Sequence, residues 1–184
     1  DANIANAHSN VINLLASQQI TPANTAEILA NGTTGGAIYF NAPHINTQNG
    51  SLIQANGNNG PGGVVAFTGN QINLAGTVTA NGSSGGSISL LADTATLDSG
   101  VFIQTNGGAG PGGTISVDVD NHLQINTAQL QANGTTDGGL IRILSRAGNI
   151  TLFDSLIQTN GGNGRGGSRG ADQHRAAVPH HAGQ

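Results

Sequence analysis

The stretch Ala80-Asn81-Gly82-Ser83-Ser84-Gly85-Gly86-Ser87-Ile88-Ser89-Leu90 contains, in order, an Asn-Gly step, a Gly-Gly pair and an alternating apolar segment. Asn at the position of Asn81 recurs along almost the whole 184-residue chain, at intervals of 25, 25, 25, 25, 27 and 27 residues. Self-similarity at a fixed period of roughly 20–50 residues indicates a repeat protein, in which stacked units share one core. The recurring residues are Asn6, Asn31, Asn56, Asn81, Asn106, Asn133 and Asn160.

Each repeat contains three short apolar segments between its glycine clusters. The first precedes the Asn (Leu52-Ile53-Gln54), the second follows the Gly-Gly pair (Ile88/Leu90) and the third is shorter (Ile72/Leu74). Alternation of apolar and polar residues bounded by Gly and Asn is typical of half-buried strands. Three strands at equal phase predict an all-β fold, a right-handed parallel β-helix (β-solenoid) of about seven coils of 25–27 residues with three short strands per coil. The alternative is that Asn-Gly marks two-residue hairpins in antiparallel sheets.

The Asn-Gly step is predicted to turn the chain at one corner of each coil. Asn and Gly tolerate the left-handed backbone region, which bends a chain sharply. Asn amides stacked in successive coils can also hydrogen-bond to one another along the rod. The sequence therefore predicts a structural turn ladder made of Asn31, Asn56, Asn81, Asn106, Asn133 and Asn160.

The repeat divides the chain into three parts. Residues 1–27 are predicted to be a degenerate first coil, because Val11-Ile12-Asn13-Leu14-Leu15-Ala16 matches Ser87-Ile88-Ser89-Leu90-Leu91-Ala92 in phase. An amphipathic helix over residues 3–20 is the alternative. Regular coils are predicted over residues 28–167. Residues 168–184 contain no apolar repeat and are predicted to be a disordered tail, for which a non-native origin is left open.

Composition excludes several classes of function. Because all five basic residues lie at or beyond residue 142 and lysine is absent, the chain lacks the basic surface that nucleic-acid binding requires. No run of about 18 apolar residues occurs, so no membrane-spanning segment is predicted. Neither a cofactor nor a metal site is predicted, and the chain has no cysteine. The basic residues are Arg142, Arg146, Arg165, Arg169 and Arg175.

Asp118 and Asp120 are the candidate carboxylate pair. Because Val117 is predicted to point inward, both carboxylates are expected on the outer face, with Arg142 one coil away beside Ser116. Paired carboxylates suit acid–base chemistry on a polysaccharide, or a weak cation site. The alternative is that they are solvated charges that keep the sheet soluble and block lateral pairing.

A column of outward residues beside Ile53 is predicted to form a glutamine ladder. Its interpretation is structural, and contact with a glycan is the functional alternative. The column consists of Gln54, Thr79, Gln104, Gln131 and Gln158.

The runs Ala30-Asn31-Gly32-Thr33-Thr34-Gly35-Gly36-Ala37-Ile38, Ala80 to Leu90, and Thr105 to Ile115 resemble repeats of filamentous haemagglutinin-like exoproteins. These are large secreted adhesins of Gram-negative two-partner secretion systems, and the likeness covers residues 28–167 well and 1–27 loosely. The resemblance implies a right-handed β-helix, secretion to the medium or the bacterial cell surface, and a role in adhesion or in the shaft of a toxin that acts on neighbouring cells. It also implies export by an outer-membrane two-partner transporter, acting on a part of the parent protein that this sequence does not contain.

The function predicted from these observations is a β-solenoid shaft segment of such an adhesin, which mediates or supports cell adhesion without catalysis. Its expected partner beyond the transporter is a host glycan or a cell-surface receptor. Two alternatives stay open: a β-helical carbohydrate-active enzyme (polysaccharide lyase or hydrolase), and an inert structural spacer.

Overall fold

The structure of the protein is a computed structural model that describes Ile4–Ala5, residues 11–162 and Ser168–Gln173. Every regular element in these ranges is a β-strand, and none of the described residues form a helix long and apolar enough to cross a membrane. The strands belong to three sheets in turn, so strands three apart in sequence are neighbours in one sheet. The chain thus forms a parallel β-solenoid of about six turns, close to the seven coils predicted.

The three sheets are named here by the segment of the repeat that supplies their strands. Sheet A, from the segment before the Asn, contains β1 (Ile4–Ala5), β4 (Glu27–Leu29), β7 (Leu52–Gln54), β10 (Thr77–Thr79), β13 (Phe102–Gln104), β16 (Gln129–Gln131) and β19 (Leu156–Gln158). Sheet B, after the Gly-Gly pair, contains β2 (Val11–Leu15), β5 (Ala37–Asn41), β8 (Val64–Thr68), β11 (Ser87–Ala92), β14 (Thr114–Val119), β17 (Leu140–Ser145) and β20 (Ser168–Gln173). Sheet C contains β3 (Gln19–Ile20), β6 (His44–Asn46), β9 (Gln71–Leu74), β12 (Thr94–Leu97), β15 (Leu123–Asn126) and β18 (Ile150–Phe153).

All strand neighbours among the described residues pair in parallel. This pairing confirms the predicted fold class and contradicts the hairpin alternative, which requires antiparallel neighbours. Each coil adds about one strand spacing, roughly 4.8 Å, to the length of the rod. Equivalent residues of successive coils therefore form columns that run along the rod axis.

The core consists of inward columns that the alternation predicted. In sheet B, Ile88 aligns with Val65 and Ile115, and Leu90 aligns with Phe67 and Val117. All are buried, as are Phe40 and the other inward aliphatic residues of this sheet from Ile38 to Ile143. The rings of Phe40 and Phe67 stack with their centroids 4.7 Å apart. A single continuous apolar core therefore runs through the rod, and each coil covers its neighbours.

Sheet C ends differently. By its alternation, the sequence predicts that Ile150 and Leu152 both point into the core. The register agrees with this prediction, because Leu152 lies opposite the buried Ile125. Ile150 is buried, whereas Leu152 is 46% exposed. In the described residues β18 is the outermost strand of sheet C, so Leu152 lies at the open end of the rod.

The two ends of the chain extend the coils beyond the regular repeats. β2 pairs with β5 and β3 with β6, so residues 11–20 form strands of a first coil, not the helix that was the alternative. At the other end, the predicted tail boundary at residue 168 differs from the structure, in which β20 pairs with β17 in register. Backbone pairing continues there although the apolar alternation has stopped. Residues 174–184 of the predicted tail lie outside the described residues.

Candidate functional site

The turn-ladder asparagines join successive coils by hydrogen bonds between side chain and backbone. The backbone N–H of Asn56 donates to Oδ1 of Asn31 at 2.7 Å, and the same bond recurs at every later step up to Asn160, at 2.6–2.8 Å. The backbone carbonyl of Asn56 also accepts from the N–H of Gly32 in the preceding coil. The ladder is thus made between amide oxygen and backbone, rather than between stacked amides as the sequence suggested.

The predicted left-handed conformation at the Asn-Gly corner is wrong. Among the described residues, the positive φ angles lie at the corner between sheets C and A. Gly follows Asn for a different reason: a Cβ on Gly57 would lie 2.1 Å from the carbonyl oxygen of Pro61. The corner loop folds back on itself so closely that no side chain fits. The residues with positive φ are Gly50, Gly76, Gly100, Thr127 and Asp154.

The glutamine column stands in register and is bonded within the rod. Asn31 Nδ2 donates to Oε1 of Gln54 at 3.0 Å, and Asn81 Nδ2 donates to Oε1 of Gln104 at 2.7 Å. Gln104 in turn donates to Oε1 of Gln131 at 3.1 Å. These glutamines and Gln158 are half-buried, while Thr79 is buried in the gap between Gln54 and Gln104. The contacts fit the structural interpretation of this column, because they tie sheet A to the Asn ladder.

Asp118 points outward between the buried residues Val117 and Val119, and Asp120 is exposed directly after Val119. Arg142 stands opposite Ser116, at the place where the sequence puts it, and its Nη1 lies 3.3 Å from Oδ2 of Asp118. Arg146 binds both carboxylates, with Nη2 2.8 Å from Asp118 Oδ2 and Nη1 2.8 Å from Asp120 Oδ1. Hydrogen bonding to Asp120, together with the charge of Asp118, raises the pKa of Arg146. The four side chains join β14 and its following turn to the next coil.

Sequence reasoning missed Arg146, although the signal was present. Arg142 follows its register partner Ser116 by 26 residues in the sequence, and Arg146 follows Asp120 by the same number. The guanidinium groups occupy the carboxylate oxygens Asp118 Oδ2 and Asp120 Oδ1, which a cation site would need. Asp118 Oδ1 is buried and has no hydrogen-bond partner. Within the described ranges, no group of three or more His, Asp or Glu side chains is placed to hold a metal ion.

The outer face of sheet B carries most of the exposed large apolar side chains of the described rod. One depression of about 440 Å³ lies on this face, and a second of about 380 Å³ lies over the end of the sheet and its turns to sheet C; both are lined by Asn41 and Thr68. Together they form one surface, here called the sheet B groove. Its first part is also lined by Asn13, Leu15 and Tyr39, and its second part by Asn70, Leu91, Asp93 and Asp120.

Apart from Asp120, the residues that line the sheet B groove were not predicted from the sequence to form a site. Alternation alone places Tyr39 outward, between the inward residues Ile38 and Phe40, and it is the only tyrosine of the chain. The register places Leu15, Asn41, Thr68 and Leu91 in one outward column. The alternation and repeat spacing that predicted the core residues could therefore also have identified these outward residues.

Comparisons of this chain with protein-family models, with curated proteins and with solved structures give no match.

Proposed function

We propose that the chain is a β-solenoid shaft segment of a large secreted bacterial adhesin of the filamentous haemagglutinin type. In this role it supports cell adhesion by holding, or by itself forming, a contact surface at a distance from the cell. The proposed location is the Gram-negative cell surface or the medium. Export would depend on an outer-membrane two-partner transporter that recognises another part of the parent protein.

The observation that carries the proposal is the uninterrupted coupling of the coils. The Asn31–Asn160 ladder repeats the same short hydrogen bond at each of its five steps. Three parallel sheets and one continuous core run beside it. Because each coil interacts with its neighbours through the same contacts, stability grows with the number of coils. Such a rod converts chain length into reach at about 4.8 Å per coil, which is what a shaft requires.

The proposal is tested by measuring binding of the purified full chain to intact epithelial and bacterial cells. A β-solenoid of similar length with an unrelated surface is the matched control, since it reproduces shape and rigidity. We expect saturable binding of the chain above the control. Binding no greater than the control would assign the chain to the inert spacer class and contradict a contact role.

A further inference from the structure

The sheet B groove differs from the Asn ladder and the glutamine column because the side-chain amides that line it make no hydrogen bond to other described residues. In the described part of the chain, no hydrogen bond joins the side chains of Asn13, Asn41 or Asn70 to another residue. By contrast, the ladder asparagines bind the backbone of the next coil, and Gln54, Gln104 and Gln131 accept bonds within the rod. The groove therefore presents donors and acceptors that are available to a ligand.

Exposed apolar side chains lie beside these amides. Tyr39 is 41% exposed, Leu15 80% and Leu91 48%, although each sits on a regular strand. A tyrosine ring presents an apolar face and a polar hydroxyl to the same ligand. Binding sites for small molecules combine such apolar surface with a few polar groups that fix orientation. A sugar has this dual character, since its hydroxyl groups suit amides and its C–H face suits a ring.

Charge restricts the class of ligand. The sequence contains no charged residue between Glu27 and Asp93, so the part of the groove around Tyr39 is uncharged. Asp93 lines the far end, where its charge would repel an anion, and Asp120 beside it is paired with Arg146. The arginines Arg142 and Arg146 are paired with Asp118 and Asp120. The described side chains thus offer no unpaired cation in the groove to an acidic or sulfated polysaccharide. A neutral polysaccharide does not need one.

The direction of the groove follows the rod. Leu15, Asn41, Thr68 and Leu91 succeed one another at the coil spacing of about 4.8 Å, which is close to the length of one pyranose unit. An extended oligosaccharide lying along the axis would therefore contact a new outward residue with each sugar. We propose that the sheet B groove binds an uncharged glycan along the rod axis. This inference rests on the proposed adhesive function and names the ligand class for it.

The test is titration of the full chain with neutral oligosaccharides of about six sugars, and with sulfated and uronic acid-containing oligosaccharides of equal length. We expect binding of at least one neutral oligosaccharide and none of the acidic ones. Tyr39→Ala and Asn41→Ala should each weaken that binding about tenfold, as for a central contact residue. Tyr39→Phe keeps the ring and should lose less. Gln158→Ala, on sheet A, is the matched control and should bind like the unaltered chain.

Circular dichroism of each variant separates loss of binding from loss of fold. Failure to bind neutral oligosaccharides, preference for acidic ones, or equal losses in Gln158→Ala and Tyr39→Ala would overturn the inference. So would a dimer that Tyr39→Ala dissociates in sedimentation, because the groove would then belong to a second copy of the chain. Cell binding without neutral-glycan binding would defeat this inference and leave the proposed function standing. Binding of neutral glycans without binding to cells would contradict the proposed function and leave this inference standing.

Discussion

The two corners that flank sheet A bend the chain by different means. At the Asn corner, which leads to sheet B, each Asn side chain bonds to the backbone of the next coil. At the corner between sheets C and A, one residue in each of five successive coils adopts a positive φ, for example Gly50 and Gly76. The first corner is held by the same side-chain bond between coils at every step. The second has a left-handed residue in each coil, and its side-chain bonds between coils differ from step to step, as where Thr47 Oγ1 bonds to the backbone of Ala75.

This difference determines how a substitution acts. At the Asn corner, a change in one coil disturbs groups in the neighbouring coil, because backbone and side chains of both are in contact there. At the other corner, a Cβ on Gly50 or Gly76 would also meet a backbone carbonyl of the preceding coil, at 2.6 and 2.5 Å. Gly100 has space for a Cβ, so there the cost of a substitution depends mainly on whether the new residue tolerates the left-handed region. Glycine occurs at both corners, so the same Gly→Ala substitution can compare them directly.

The largest expected effect is that of Gly82→Ala at the Asn corner. A Cβ on Gly82 would lie 2.1 Å from the backbone N of Gly62 in the preceding coil, so the backbone of one coil must move. We expect a loss of about 3 kcal/mol or more in the free energy of unfolding. Equilibrium urea unfolding followed by far-ultraviolet circular dichroism would measure it.

Gly100→Ala is the matched substitution at the other corner. Gly100 has φ of 84°, but the atom nearest to a Cβ at this position would be Asn49 Oδ1 at 3.5 Å, so space is available. The left-handed conformation costs alanine about 1–2 kcal/mol, partly offset by the lower entropy of the unfolded chain. We expect a net loss of about 1 kcal/mol in the free energy of unfolding. Equal losses in the two variants would contradict the distinction between the corners.

An intermediate effect is expected for Asn81→Ala within the ladder. The substitution removes the acceptor of the Asn106 N–H, which is bonded at 2.6 Å, and the donor to Gln104 Oε1. Leaving a partly buried N–H without a partner costs about 1–3 kcal/mol. The control is Asn41→Ala, whose amide is exposed and unbonded among the described residues, and which should change the free energy of unfolding by less than about 0.5 kcal/mol. The same urea titration applies, and a loss as small as that of Asn41→Ala would show that the ladder does not couple the coils.

The sequence predicted the repeating interior of the rod better than its corners. Alternation in segments such as Ile88/Leu90, with the fixed step of the Asn, determines both the inward face and the pairing between coils. The outward position of Asp118 followed from the inward position of Val117 by the same reasoning. Glycine recurs at the left-handed corner in three successive coils, at Gly50, Gly76 and Gly100, but Thr127 and Asp154 replace it in the next two, so the pattern is weaker than that of Asn-Gly and was missed. Arg146 was missed because its partner Asp120 lies just beyond β14, where alternation gives no side-chain contact.

The smallest expected effect is a gain in stability from Thr127→Gly. Thr127 has φ of 46°, a conformation in which a β-branched residue is strained. Gly50, Gly76 and Gly100 occupy the same corner in earlier coils without that strain. Glycine also raises the entropy of the unfolded chain, which offsets part of the stability gained by removing the strain. We therefore expect the free energy of unfolding to rise by up to about 1 kcal/mol. Thr96→Gly, in the regular strand β12, is the control and should lower stability by about 0.5–1 kcal/mol. If both threonine variants lose stability equally, Thr127 is not strained in its left-handed conformation. Local conformation would then not distinguish the corner between sheets C and A from the Asn corner.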